Sequence, residues 1–203
     1  MAAAVALIVL SGSLVAGQAA QDTSADSGRA TLALRALDRY LETWNSRNPS
    51  VWATSLHFPH VRPGAGAFEL SRTEAEYASG VDFEQTLRTG WDHSEWVSRE
   101  VLQVGVDKVH VAGSWQRFTA DGRAQARSAI TYIVTEQGGA WGIQARFAAG
   151  TGEVDAAVRA SNATAAQGAA QSFIRAWNSH DPQALAASVH YPHVRIADNR
   201  VEV

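Results

Sequence analysis

The residues best equipped for chemistry occur twice in this chain. His57-x-Pro59-His60-x-Arg62 returns as His190-x-Pro192-His193-x-Arg195. On a strand, residues two apart share a face, so His60 and Arg62 point one way and Val61 the other. Imidazole serves as acid or base near neutral pH, and a guanidinium forks onto carboxylate or carbonyl oxygens. On the concave side of a sheet the pair suits an anionic or carbonyl-bearing ligand, with His57 as a further ligand contact. The same side chains can equally bond backbone groups and lock a helix-to-strand corner, and the residues leave both readings open. No metal site is expected from His57 and His60, which lack a third ligand and do not share a helical face.

Two further sets of candidates lie downstream. Gln144 and Arg146 alternate with Ile143 and Ala145, so one pair faces inward. An inward Arg146 needs a partner or a ligand carboxylate, because a buried charge must be compensated. Trp91 and Trp96 flank the start of a long strand and are expected at a pocket mouth, whereas Trp44, at helical spacing, reads as core. No glycine-rich phosphate loop, nucleophile elbow or zinc motif is found, and no cofactor is expected.

The elements that must position these residues follow from periodicity. Leu32, Leu34, Leu37, Leu41 and Trp44 predict an amphipathic helix over Thr31–Asn45. Asn48-Pro49 supplies an N-cap and a first-turn proline for a short helix running to about Leu56. Pro59 cannot continue it, so His60–Arg62 starts a strand, Pro63–Gly66 turns, and Ala67–Leu70 returns. Val81, Phe83 and Leu87 mark a third helix within Ser71–Gly90. Thereafter the period becomes two, predicting strands at Trp96–Val104, Val109–Thr119, Arg127–Thr135 and Trp141–Phe147. Helices followed by an antiparallel meander define an α+β domain with helices on one face of a curved sheet.

Tyr40–Arg62 and Phe173–Arg195 align at a constant offset of 133, with 11 of 23 positions identical. The expected organisation is a complete domain at 28–149, a linker at 150–168 and an incomplete second copy at 169–203. By the same offset a complete second copy needs roughly 80 more residues, so the chain is expected to be a fragment of a longer tandem protein.

Among 203 residues there are 17 basic and 20 acidic side chains, a net charge of −3, and Lys108 is the single lysine. With no basic face indicated, nucleic acid is not an expected partner. Zero cysteines exclude disulfides and thiolate chemistry. The apolar run within residues 2–20, followed by small residues and a polar stretch, predicts a signal peptide at 1–20 and a periplasmic or secreted protein. Anchoring by an uncleaved segment is the alternative, and no stable membrane insertion is expected after processing.

Tyr40…Trp44-Asn45…Asn48-Pro49, the Phe58–Arg62 entry strand, Val104-Gly105…Asp107–Val111 and Trp141–Arg146 together resemble the NTF2-like superfamily. The resemblance is to its SnoaL-like, ketosteroid-isomerase-like branch. It implies a cone-shaped sheet wrapped round an apolar pocket, often dimerising through the sheet's outer face, so a homodimer is an expected partner. It also implies that Tyr40 stands by the pocket, where an acid–base enzyme would use it as a catalytic residue with His60 and Arg62. The carboxylates that such isomerases place near Pro63–Gly66 and on Arg127–Thr135 are missing, although Asp198 lies near the first slot in the second copy. The expected function is therefore binding of a small, partly apolar molecule. The alternatives are an acid–base enzyme of isomerase, cyclase or dehydratase type, or a dimerisation module.

Overall fold

The computed structural model describes residues 12–63, 68–151, 154–197 and 200–203. Residues 1–11, the body of the turn at 64–67, and Asp198 lie outside the described residues, and with them most of the expected signal peptide.

Helix α1 (Gly12–Asn45) begins well before Thr31 and takes in the polar stretch expected to stand ahead of the domain. Its buried stripe is Ala33, Ala36, Leu37, Tyr40 and Leu41, while Leu32 is exposed. Small alanines let this helix approach the sheet closely, a contact that counting leucines misplaces by one position. Asn48 Oδ1 accepts from the backbone N–H groups of Ser50 and Val51 at 3.0 and 3.2 Å, opening α2 (Pro49–Ala53). Pro49 sits in the first turn, where its missing N–H leaves no bond unmade.

Strand β1 (Leu56–Pro63) contains a cis Phe58–Pro59 peptide and pairs antiparallel with β2 (Phe68–Ser71). The single third helix expected here is two, α3 (Glu74–Ser79) and α4 (Phe83–Leu87). Gly80 ends the first, and Asp82 Oδ1 caps the second by accepting from Glu84 N and Gln85 N.

The meander follows as β3 (His93–Val104), β4 (Lys108–Phe118), β5 (Ala124–Gln137) and β6 (Ala140–Thr151). The β5–β6 turn needs positive φ at both central residues, supplied by Gly138 and Gly139 at +60° and +84°. Strand order is β2-β1-β6-β5-β4-β3, and β1 runs parallel to β6. The sheet is therefore mixed rather than purely antiparallel. Everything from β2 to β5 intervenes between β1 and β6, a crossover long enough to let two neighbours run the same way.

Helices α1–α4 cover the concave face of the sheet. The core joins Leu37, Tyr40, Trp52, Tyr77 and Phe83 from the helices to Val109, Val111, Ile130, Tyr132, Val134 and Ile143 from the strands.

Beyond it lie α5 (Ala156–Asn178), α6 (Pro182–Ala187), β7 (Arg195–Ala197) and β8 (Arg200–Glu202). Most of the stretch expected as a linker is thus helical. Asp181 caps α6 ahead of Pro182, as Asn48 caps α2 ahead of Pro49. Ile174 and Trp177, which align with Leu41 and Trp44, are exposed.

Candidate functional site

A cavity of about 360 Å³ opens between the helices and the concave face. Helix α1 contributes Tyr40, Leu41 and Trp44, and α2 contributes Trp52. Arg62 comes from β1, Trp115 and Arg117 from β4, and Arg146 from β6; Val81, Asp82, Gln85 and Thr86 form one wall.

Arg146 faces the cavity because of an irregularity in β6. Tyr132 pairs with Arg146 and Ile133 with Ala145, but Val134 pairs with Ile143, leaving Gln144 as the extra residue of a β-bulge. Arg146 therefore shares the concave face with Ile143, and the simple alternation that paired it with Gln144 is broken. The guanidinium donates from Nη1 to Tyr40 Oη at 3.2 Å and from Nη2 to Tyr77 Oη at 2.9 Å. Its central carbon lies 5.0 Å from the Trp52 ring centroid, and its Nε is buried without a partner among the described residues. Burial opposes the charge and the Tyr40, Tyr77 and Tyr132 phenols favour it, and arginine's high starting value keeps Arg146 a cation. Burial in turn pushes the Tyr40 phenol up to about 12 against the pull of Arg146, so Tyr40 is neutral at physiological pH.

Arg117 packs between two indoles, its guanidinium carbon 5.6 Å from the Trp44 centroid and 5.3 Å from that of Trp115. Its Nε is also buried and without a partner among the described residues, and burial lowers its pKa. Arginine's high starting value leaves it charged. Arg62, in contrast, pairs with Glu69 at 2.5 Å and lies over the Tyr77 ring.

The two histidines stand elsewhere. His60 is 1% exposed, packs edge-on to Tyr77 at 5.3 Å and donates from Nδ1 to the Ile143 carbonyl at 3.0 Å. It does share a face with Arg62, since both meet Tyr77, but it is not part of the cavity wall. Burial, aided by the Arg146 charge, lowers its pKa to about 3, so it is neutral at pH 7. An acid–base role for His60 is not supported by this placement, because a proton acceptor must reach its substrate. His57 is half-buried, with Nδ1 3.0 Å from Thr135 Oγ1. Thr135 donates on to Gln144 Oε1 at 3.0 Å, Gln137 Nε2 donates to the same oxygen at 2.8 Å, and Gln144 Nε2 donates to the Pro59 carbonyl at 2.8 Å. His57 and Gln144 therefore fasten the β1 corner to β5 and β6, away from the cavity wall. Trp91 is buried, donates to Ser94 Oγ at 3.0 Å and packs on Trp44, while Trp96 packs on Tyr132. Neither lines the cavity.

Of the residues expected at a site, Tyr40, Arg62 and Arg146 meet at the cavity; His57, His60, Trp91, Trp96 and Gln144 do not. Sequence reasoning missed Arg117, Trp115 and Trp52. A signal for Arg117 was present: it continues the inward series Val109, Val111, Gly113 and Trp115 at a period of two. Among the described residues no three His, Cys, Asp or Glu side chains converge as metal ligands.

Residues 31–151, the α1-to-β6 cone, match the family described as NTF2-like protein (DUF6841). The chain belongs to this family. Among solved structures, an NTF2-like protein with a cystatin-like fold from Novosphingobium aromaticivorans is similar at 16% identity and a TM-score of 0.52. The match covers 74% of this chain and 97% of that one. A cystatin-like protein of unknown function from Nostoc punctiforme is similar at 11% identity, covering 59% and 88%, with a TM-score of 0.48. A ketosteroid isomerase-like protein from Erwinia carotovora atroseptica is similar at 15% identity, covering 58% and 92%, with a TM-score of 0.44. No curated protein matches. At 16% identity the likeness to the Novosphingobium protein is one of fold, and a fold by itself assigns no function.

Proposed function

We propose that this NTF2-like protein binds a small, partly apolar molecule in the cone cavity. The observation that carries the reading is the cavity itself: about 360 Å³, walled by Tyr40, Trp44, Trp52 and Trp115, with guanidinium groups at a few points. An aromatic-walled cavity into which several polar side chains converge has the form of a ligand pocket. Binding is preferred over acid–base turnover because the neutral His60 is shut off from this space. The carboxylate on the described wall, Asp82, is exposed and holds the N-terminus of α4. The apolar run at residues 2–20 supports export, which amino-terminal sequencing of the mature protein checks.

The test is a thermal-shift screen of the whole chain with steroids, phenols and aromatic acids, repeated on Thr86→Trp, which places an indole in the cavity. A ligand at about 100 times its Kd adds about 2.7 kcal/mol, a rise of several degrees. The expected result is a shift in the parent that Thr86→Trp abolishes. No shift with any compound, or one that Thr86→Trp leaves unchanged, overturns the reading.

A further inference from the structure

We propose that the cavity is built for an aromatic monocarboxylate, its carboxylate held by Arg146 and Arg117 and its ring lying against the indoles. This rests on the cavity-binding reading above and specifies its ligand.

Charge is the first argument. A guanidinium in a partly dry site ordinarily meets a carboxylate, because its lost hydration must be replaced. Among the described residues, Arg62 has such a partner in Glu69, whereas Arg146 bonds only neutral phenols. Arg117 has indole faces on either side and, among the described residues, no carboxylate within ion-pair distance. Against the two uncompensated cations stands Asp82 on the wall, exposed to water. The balance is one excess positive charge, which a monoanion neutralises.

Unspent hydrogen-bonding capacity is the second. Among the described residues, the Nε atoms of Arg117 and Arg146, like that of Arg62, are buried without partners. A guanidinium offers five donors in a planar fork, and a carboxylate accepts two in parallel. Tyr40 and Tyr77 occupy one Nη each of Arg146, fixing the plane of the fork without neutralising it.

The third is shape. Trp44, Trp52 and Trp115 offer aromatic surface beside the two cations, so an acid attached to a ring finds both halves of its chemistry in one space.

The experiment is isothermal titration of the full chain at pH 7.5 with benzoate, cinnamate, 2-naphthoate and indole-3-acetate, each beside its primary amide. The amide keeps the shape and removes the charge. At least one acid is expected to bind tenfold or more tighter than its amide. Arg117→Gln should weaken that acid at least tenfold while changing the amide less than threefold, and Arg146→Gln gives a second reading if the first variant folds poorly. An amide that binds within threefold of its acid overturns the charge assignment and leaves the cavity reading standing. An acid preference that survives both substitutions also overturns it. Absence of binding by all eight compounds overturns the carboxylate proposal, and the steroid and phenol arms of the thermal screen then decide separately whether the cavity binds anything.

Discussion

Tyr77 accepts a hydrogen bond from Arg146 Nη2 at 2.9 Å, so a neutral phenol stands where a buried guanidinium would more commonly meet a carboxylate. Tyr40 does the same at the other terminal nitrogen. The arrangement orients the cation while leaving its charge without a carboxylate partner among the described residues.

Tyr77→Phe removes one acceptor and leaves Nη2 of a buried cation unsatisfied. The expected loss is on the order of 2 kcal/mol, the range for hydrogen bonds to charged groups. Urea denaturation measures it, and a change below about 0.5 kcal/mol would mean that water or another group takes over the bond.

Gln144 is the hub of the corner, accepting from Thr135 and Gln137 and donating to Pro59. Gln144→Leu preserves volume but strands the Pro59 carbonyl and two donors, each costing about 1–3 kcal/mol when buried and unpaired. A Tm drop of many degrees in circular dichroism is expected. Near-parental stability would show that the bulge needs no polar fastening.

Gly142 passes so close to His57 that an added Cβ would lie 2.5 Å from the imidazole Cδ2. Gly142→Ala should destabilise by about 1–3 kcal/mol through overpacking. His57→Ala in the same chain should recover part of that loss, because the two sites share one contact. A double-mutant cycle reads the coupling, and strict additivity would contradict the packing argument.

His60 makes stability depend on pH. Its folded pKa, near 3, lies below the ordinary 6.5, so the unfolded chain binds the extra proton between those values. The stability present above pH 6.5 is therefore lost as pH falls toward 3, at up to roughly 1.4 kcal/mol per pH unit from this group. His60→Asn keeps a donor for the Ile143 carbonyl and removes the titration. Between pH 6.5 and 5 the variant should show a flatter stability profile than the parent; parallel profiles would mean that His60 charges freely in the folded state.

Much of the architecture was legible because its causes are local. The Asn48-Pro49 pair opens a helix by satisfying its own backbone, the Gly138-Gly139 pair turns a hairpin by its φ values, and period-two runs mark the four long strands. Two misplacements have local causes that were overlooked. Asp82 is a cap that splits the third helix, and Ala33 and Ala36 are the core-facing residues of α1.

The sequence by itself determined the elements, the repeated His–Pro–His–Arg corner and the presence of an arginine that has to be compensated if it faces inward. Only the tertiary structure decided which arginines do. Alternation assigns residues to two faces but does not say which face is concave, and the bulge at Gln144 changes the assignment midway along β6. There β6 pairs with β1 on one side and β5 on the other, strands far from it or from each other in sequence. The same long-range pairing seals His60 behind Tyr77 and places Arg117 and Arg146 on the wall of one cavity. Local preference is a sum over neighbours in sequence, whereas a pocket is enclosed by residues that only the closing of the sheet makes neighbours.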